Sequence, residues 1–264
     1  MKFSIFAFIF FLVIPLYGLS ASEIDDRWLT EHYTKREVMI PMRDGISLFT
    51  AIYEPLENKS KSGLSDAAAP LIMMRTPYSI GPYGQFGFSS NLRKKFRPYL
   101  ENGYVVVLQN VRGRFLSEGL YENIRPFIAD KRPGQTDEAS DTYDTVEWLV
   151  HNVYFNGAVG VTGVSYPGFY ATLAALSGHP AIKAVSPQAP VLDWYMGDDA
   201  HHNGVLMLAD TYSFGGGFYR YQKNPATQAP PTAAQPIGDL YSFFMRNRTF
   251  QDVTETLADT LSFW

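Results

Sequence analysis

An α/β fold on a mostly parallel, doubly wound sheet is predicted by three features of this sequence. Short apolar runs alternate with helix-patterned segments, glycines punctuate the junctions, and Tyr104 to Leu108 is apolar at every position. An unbroken apolar run of that length suits a strand covered on both faces, as parallel strands are.

Each element follows in order. Glu37 to Met42, Asp44-Gly45 and Ile46 to Tyr53 predict a hairpin, because Asp-Gly suits a tight turn between β-rich runs. Glu57 to Ala69, rich in Ser, Lys, Gly and Ala, predicts an exposed loop. Leu71 to Met74 predicts a short strand that runs into Arg75-Thr76-Pro77-Tyr78. A Gly/aromatic loop leads to a helix reaching Asn102, ended by Gly103 where a helix terminus favours positive φ. The next helix, over Ser140 to Asn152, is expected to turn Tyr143, Val146 and Val150 inward and its acidic residues outward. Ala158 to Thr162, Pro167 to Ser177 and Ile182 to Ser186 complete a strand, helix, strand unit. From about Pro190 the rhythm breaks into Gly-rich and Pro-rich sequence and ends in helix-patterned Thr249 to Leu261. The expected organisation is a signal peptide over residues 1–22, a core over 23–190 and the start of a helical cap over 191–264.

The amino terminus supports the first of these. Lys2 precedes an apolar stretch from Phe3 to Leu16, and Gly18, Ser20, Ala21 and Ser22 follow. About 14 apolar residues fall short of the ~20 that cross a bilayer, so cleavage, a secreted or periplasmic location and no membrane attachment afterwards are expected. The chain has no cysteine, which excludes thiolate metal sites and disulfides. An apolar fraction of 46% and an aromatic fraction of 15% mark a globular chain, and a net charge of −4 argues against nucleic-acid binding, which needs a basic face.

The chemistry centres on Gly163-Val164-Ser165-Tyr166-Pro167-Gly168, between an apolar strand and an Ala/Leu-rich helix. An α/β-hydrolase places its nucleophile on such a strand-to-helix turn, so Ser165 is the candidate nucleophile and the fold class sharpens to an incomplete α/β-hydrolase fold. The pattern departs from G-x-S-x-G, since Pro167 occupies the second position after Ser165 and the glycine is displaced by one. The first helical turn tolerates proline because it has no use for the missing N–H. The Tyr166 backbone N–H is the first oxyanion donor by geometry, and Tyr78 could supply a second through its hydroxyl. By residue type alone a loop tyrosine is more often packing than chemistry.

Asp198-Asp199-Ala200-His201-His202 could suggest a metal site, but two histidines do not make a ligand set. The plainer expectation is a solvated helix start capped by Asp198 or Asp199. No metal or organic cofactor is called for. A serine hydrolase needs a His base and an acid after the nucleophile. His179, His201 and His202 are the histidines that follow Ser165, and none is expected at the end of a late core strand. The base and its acid are therefore expected beyond Trp264.

Five motifs in order resemble one family: Met42-Arg43-Asp44-Gly45, Arg75-Thr76-Pro77-Tyr78, Val111-Arg112-Gly113-Arg114 with Ser117-Glu118-Gly119, Asp141 to Leu149, and Gly163 to Gly168. The resemblance is to the X-Pro dipeptidyl-peptidase-like hydrolases, including cocaine esterase, glutaryl-cephalosporin acylases and α-amino acid ester hydrolases, and covers roughly residues 33 to 210. It implies Ser165 as nucleophile, with the Tyr166 N–H and the Tyr78 hydroxyl as oxyanion hole. It also implies that Asp199 joins a carboxylate cluster holding a substrate's α-ammonium group. The implied partner is a small ester, amide or peptide, and a homo-oligomer is compatible with the sequence. Two other readings stay open, a truncated non-catalytic chain and a proline-specific dipeptidyl peptidase that would not need Asp199.

Overall fold

The computed structural model describes residues 24–56, 68–193, 195–211, 214, 222, 224–229, 239–249 and 251–252. The expected signal peptide, most of the Glu57 to Ala69 loop and nearly all of Thr249 to Leu261 lie outside these residues.

A six-stranded sheet in the order β1-β2-β4-β3-β5-β6 forms the centre. Strands β1 (Tyr33–Pro41) and β2 (Ser47–Pro55) pair antiparallel through the Asp-Gly turn, in which Gly45 has φ 89°. Strand β4 (Val105–Asn110) is antiparallel to β2 and parallel to β3 (Leu71–Thr76). Strands β5 (Val159–Val164) and β6 (Ile182–Gln188) extend the parallel part.

The apolar runs are covered on both faces, as their lack of alternation predicts. Ile72, Met74, Val106 and Leu108 pack with Leu92 and Leu100 of two short helices, α2 (Ser90–Lys95) and α3 (Arg97–Glu101), and with Phe96 between them. The alternate residues Leu71, Met73, Val105 and Val107 face Val146 and Leu149 of α4 (Glu138–Asn152) and Ala171 and Ala174 of α5 (Tyr166–Leu176). Successive strand residues point to opposite faces, so one run serves two cores. Burying each such side chain contributes about 1.5–3 kcal/mol. The helix ending near Asn102 is broken at Phe96, and Gly103 has φ 73°. Helix α1 (Asp26–His32), capped by Asp25, precedes β1.

Helix α4 corrects an expectation. Its buried side comprises Glu138, Asp141, Thr142, Thr145, Val146 and Leu149, whereas Val150 is exposed. Val146 is buried and Glu147 exposed as expected, but Asp141 and Glu138 turn inward because buried arginines await them, and Val150 turns out.

The strand order creates a switch point. The chain leaves β3 toward β4 on one side, then returns past β3 to β5 and continues to β6 on the other. Open α/β sheets bind ligands outside the carboxyl ends of strands at such a reversal.

Beyond β6 the described chain forms a small antiparallel sheet of β7 (Gly197–Asp198), β8 (His201–His202) and β9 (Val205–Leu206). The expected helix start at Asp198-Asp199 is therefore a hairpin. Asn203 and Gly204, at φ 51° and 80°, form the Asn-Gly turn between β8 and β9. A further helix spans Leu240–Arg246.

Candidate active site

Ser165 follows β5 directly and caps α5, with φ 60° and ψ −121°. A non-glycine residue in this region stores about 1–3 kcal/mol of strain, which the surroundings must enforce. They do so by close packing. A Cβ on Gly163 would stand 2.1 Å from the Pro167 carbonyl oxygen, and one on Gly168 would stand 2.8 Å from the Gln188 carbonyl oxygen. Only glycine fits at either position. The displaced glycine thus has a cause: the residue three after Ser165 is the one pressed against β6. The Ser165 N–H donates to the Gln188 carbonyl at 2.9 Å, and the Ser165 carbonyl accepts from the Phe169 N–H at 3.1 Å. Among the described residues no side chain hydrogen-bonds the Ser165 hydroxyl.

Tyr166 is the first residue of α5, so its N–H is directed out of the helix N-terminus. Its side chain is buried, and its hydroxyl accepts from the Tyr121 hydroxyl at 2.6 Å and the Ile124 N–H at 2.8 Å while donating to Asn123 Oδ1 at 2.7 Å. Burial pushes this phenol well above its ordinary range, so it stays protonated.

Tyr78 lies two residues past the end of β3. The β3–β5 register pairs Met73 with Val161, so three further residues on each strand reach Thr76 and Val164. Both strands end at the same level, and Tyr78 and Ser165 follow on neighbouring strands. The Tyr78 loop is held by Asn110 Nδ2 donating to the Tyr78 carbonyl at 2.7 Å, Arg114 Nε donating to the Pro77 carbonyl at 3.0 Å, and the Tyr78 N–H donating to Thr76 Oγ1 at 3.1 Å. The Tyr78 side chain is 37% exposed. Partial burial raises its phenol, the Asp199 charge raises it further, and Arg114 opposes both. Asp199 thus lies within electrostatic reach of Tyr78, exposed in the turn between β7 and β8.

His179 stands apart from Ser165. It precedes β6 at the opposite end of the sheet, roughly 20 Å away for the seven residues of β6 at ~3.3 Å each. It is buried, with its ring nitrogens 2.9 Å from Glu147 Oε2 and 3.1 Å from the Ala181 N–H, a structural clamp. His201 and His202 are adjacent on β8, where side chains alternate in direction. Among the described residues no group of three or more His, Cys, Asp or Glu could hold a metal ion.

Beneath the switch point sits a buried ionic cluster that composition and periodicity did not reveal. Arg75 donates from Nε to Gln109 Oε1 at 2.7 Å and from a terminal nitrogen to the Glu138 carbonyl at 2.8 Å and Thr142 Oγ1 at 2.9 Å. Arg112 grips Asp141 through contacts of 2.7 and 3.0 Å and reaches Asp44 at 2.7 Å. Arg125 donates to Asp141 at 3.0 Å and pairs with Glu138 at 3.2 Å. Burial would lower the Arg112 guanidinium, but Asp141 and Asp44 outweigh it and raise it. Three arginines face three carboxylates, Asp44, Glu138 and Asp141, and burial raises the Glu138 carboxyl although Arg75 and Arg125 oppose it. Arg75 directly after the apolar run Leu71 to Met74 was the available signal, since a buried charge requires partners.

The family model of the X-Pro dipeptidyl-peptidase (S15 family) matches residues 44–256. The chain belongs to this family. It is 34% identical over 158 residues to cocaine esterase of Rhodococcus sp., covering 60% of this chain and 24% of that protein. It is 30% identical over 129 residues to an Xaa-Pro dipeptidyl-peptidase of Lactiplantibacillus plantarum, covering 43% and 14%. Among solved structures, an α-amino acid ester hydrolase superposes with a TM-score of 0.69 at 34% identity, covering 86% of this chain and 36% of that one. An aminopeptidase from a marine-sediment Thaumarchaeota archaeon superposes at 0.68 with 29% identity, covering 88% and 37%. The architecture is that of the α/β-hydrolase fold. The matched region spans about a quarter of cocaine esterase and just over a third of these two solved chains. Within the S15 family frame the motifs fall into two groups. Asp44, Arg75, Arg112 and Asp141 build the ionic cluster, while Tyr78, Ser165 and Tyr166 collect at the carboxyl ends of β3 and β5.

Proposed function

We propose that the protein is a serine acyl hydrolase in which Ser165 is the nucleophile and Tyr78 and Tyr166 form the oxyanion hole. The carrying observation is the strained turn at Ser165 beside the Tyr78 loop, at the sheet's switch point. The Ser165 oxygen bonds the acyl carbon as its proton passes to a general base from outside the described residues. The carbonyl π electrons move onto oxygen, where the Tyr78 hydroxyl and the Tyr166 N–H donate to it. Collapse expels the alcohol or amine, which takes up the proton, and water then cleaves the acyl-serine ester.

The acyl group carries an α-ammonium in this reading. Support comes from the exposed turn between β7 and β8 that carries Asp199, whose charge raises the Tyr78 phenol. An ammonium one carbon from the reacting carbonyl fits that placement better than the remote amine of a dipeptide. The chain is also proposed to be exported through residues 1–22, and amino-terminal sequencing of the mature protein tests this by reading a start near residue 21.

A fluorophosphonate that labels serine nucleophiles tests the central reading in the full-length protein. An adduct on Ser165, absent from Ser165→Ala, is expected, and an unlabelled Ser165 overturns the assignment. Turnover of a phenylglycine methyl ester and an X-Pro anilide by Asp199→Asn tests the substrate class. Loss confined to the amino ester is expected, and equal loss on both overturns the α-ammonium role.

A further inference from the structure

We propose that Arg114 and Tyr121 are positioning residues that brace the two oxyanion donors against each other, holding the Tyr78 hydroxyl and the Tyr166 N–H at a fixed separation. The inference rests on the oxyanion reading given above. Those donors come from separate segments, one after β3 and one after β5, and strand pairing alone does not set the distance between them.

A continuous path of contacts joins them. Arg114 is 3% exposed and its Nε donates to the Pro77 carbonyl at 3.0 Å, one residue before Tyr78. The centre of its guanidinium lies 5.1 Å from the centroid of the Tyr121 ring and 5.5 Å from that of Phe115, within cation–π range. The Tyr121 hydroxyl donates to the Tyr166 hydroxyl at 2.6 Å. Tyr166 carries the other donor on its backbone.

The brace is itself held. Gly113, at φ 67°, lets the Tyr121 backbone approach so closely that a Cβ there would stand 2.2 Å from the Tyr121 nitrogen. The Phe115 N–H donates to Gln222 Oε1 at 2.9 Å, and the Phe115 carbonyl accepts from the Ala226 N–H at 2.8 Å. The segment after the core therefore clamps the arginine's own turn. The guanidinium charge also acts on the Tyr78 phenol in the direction that eases hydrogen-bond donation. An arginine suits this work because one planar group can donate in its plane and stack on its face.

The experiment is a double-mutant cycle in the full-length protein with a phenylglycine methyl ester, using Arg114→Met, Tyr78→Phe and the pair. Tyr78→Phe is expected to lower kcat about a hundredfold, as loss of one oxyanion donor does. Arg114→Met is expected to lower kcat roughly tenfold or more with KM within about twofold, because a small misplacement of a catalytic donor has that scale of effect. The double variant should be no slower than Tyr78→Phe alone. Losses that multiply, a loss residing in KM, or a wild-type kcat in Arg114→Met overturns the brace while leaving the oxyanion reading intact. An unchanged kcat in Tyr78→Phe overturns both.

Two further measurements stand clear of a folding defect. Tyr121→Phe deletes one oxygen and keeps the ring under Arg114, and a several-fold loss in kcat at constant KM is expected, a wild-type kcat being contrary. With 3-fluorotyrosine at position 78, the fluorine NMR titration midpoint should rise in Arg114→Met, and an unmoved midpoint counts against the placement of the guanidinium beside the Tyr78 loop.

Discussion

The turn at Ser165 and the ionic cluster around Asp141 are built on opposite principles. At Ser165 a side chain is partly exposed, its backbone lies at φ 60°, and its hydroxyl finds no side-chain partner among the described residues. At Asp141 the carboxylate is fully buried and contacts Arg112 and Arg125, with Arg75 at 3.9 Å. One region holds a reactive group out of its comfortable state, and the other pairs buried charges with one another. The two are joined physically, since Arg75 lies at the end of β3 and Tyr78 follows three residues later.

The sharpest way to break this contrast is to damage the cluster. Asp141→Asn removes the negative charge shared by buried arginines, and stranding a buried charge costs about 3–5 kcal/mol. Urea unfolding should show that loss while the Ser165 turn keeps its sequence. A midpoint within about 1 kcal/mol of wild type would mean the cluster is dispensable.

The strained side predicts the reverse sign. Ser165→Gly keeps the turn and removes the conformational penalty at φ 60°, so it should stabilise the protein by about 1 kcal/mol over Ser165→Ala. Gly163→Ala, in contrast, drives a Cβ into the Pro167 carbonyl and should destabilise by about 1–3 kcal/mol. Thermal melts of the three variants check both signs. Equal stability of Ser165→Gly and Ser165→Ala would deny that the turn stores strain.

These differences explain what could be read in advance. The strands over 71–76 and 105–110 were legible because burial on both faces favours apolar runs, Leu71 to Met74 and Val105 to Leu108, while 159–164 buries alternate residues and was legible from its valines and the glycine turn that follows. The turn at Ser165 was legible because glycine is required where the Pro167 carbonyl lies 2.1 Å from a would-be Cβ. The cluster was not, because Asp141 and Glu138 look like a solvated helix face until the partners from β3, β4 and the following loop are known. The hairpin at 197–206 was missed for a local reason: Asn203-Gly204 is a strong turn signal, but the acids before it suit a helix cap equally well. Tyr78 stayed undecided by residue type, since its relation to Ser165 depends on β3 and β5 being neighbours, a non-local fact.

A pH series sharpens the comparison at the helix that carries the cluster. Burial alone would raise the Asp137 carboxyl, but the N–H groups of Ile128 and Ser140 and the Lys131 ammonium outweigh it and hold it below the usual range. A folded pKa below the unfolded ~3.9 adds stability that is fully present above that value and lost as pH falls through the lower one. Asp137→Asn should therefore cost about 1 kcal/mol at pH 7, as loss of a helix cap does, and its deficit should shrink toward pH 2. A deficit independent of pH would place the effect in packing.

The smallest expected effect concerns the far end of the sheet. Glu147 is half-exposed although its partner His179 is buried, so solvent screens the pair. Glu147→Gln keeps an acceptor oxygen for the His179 ring and should cost no more than about 1 kcal/mol. It should leave fluorophosphonate labelling of Ser165 at the wild-type rate, because the seven residues of β6 separate His179 from the carboxyl ends where Tyr78 and Ser165 stand. A slowed labelling rate would mean that the two ends of β6 communicate, and that His179 does more than tie α4 to the turn before β6.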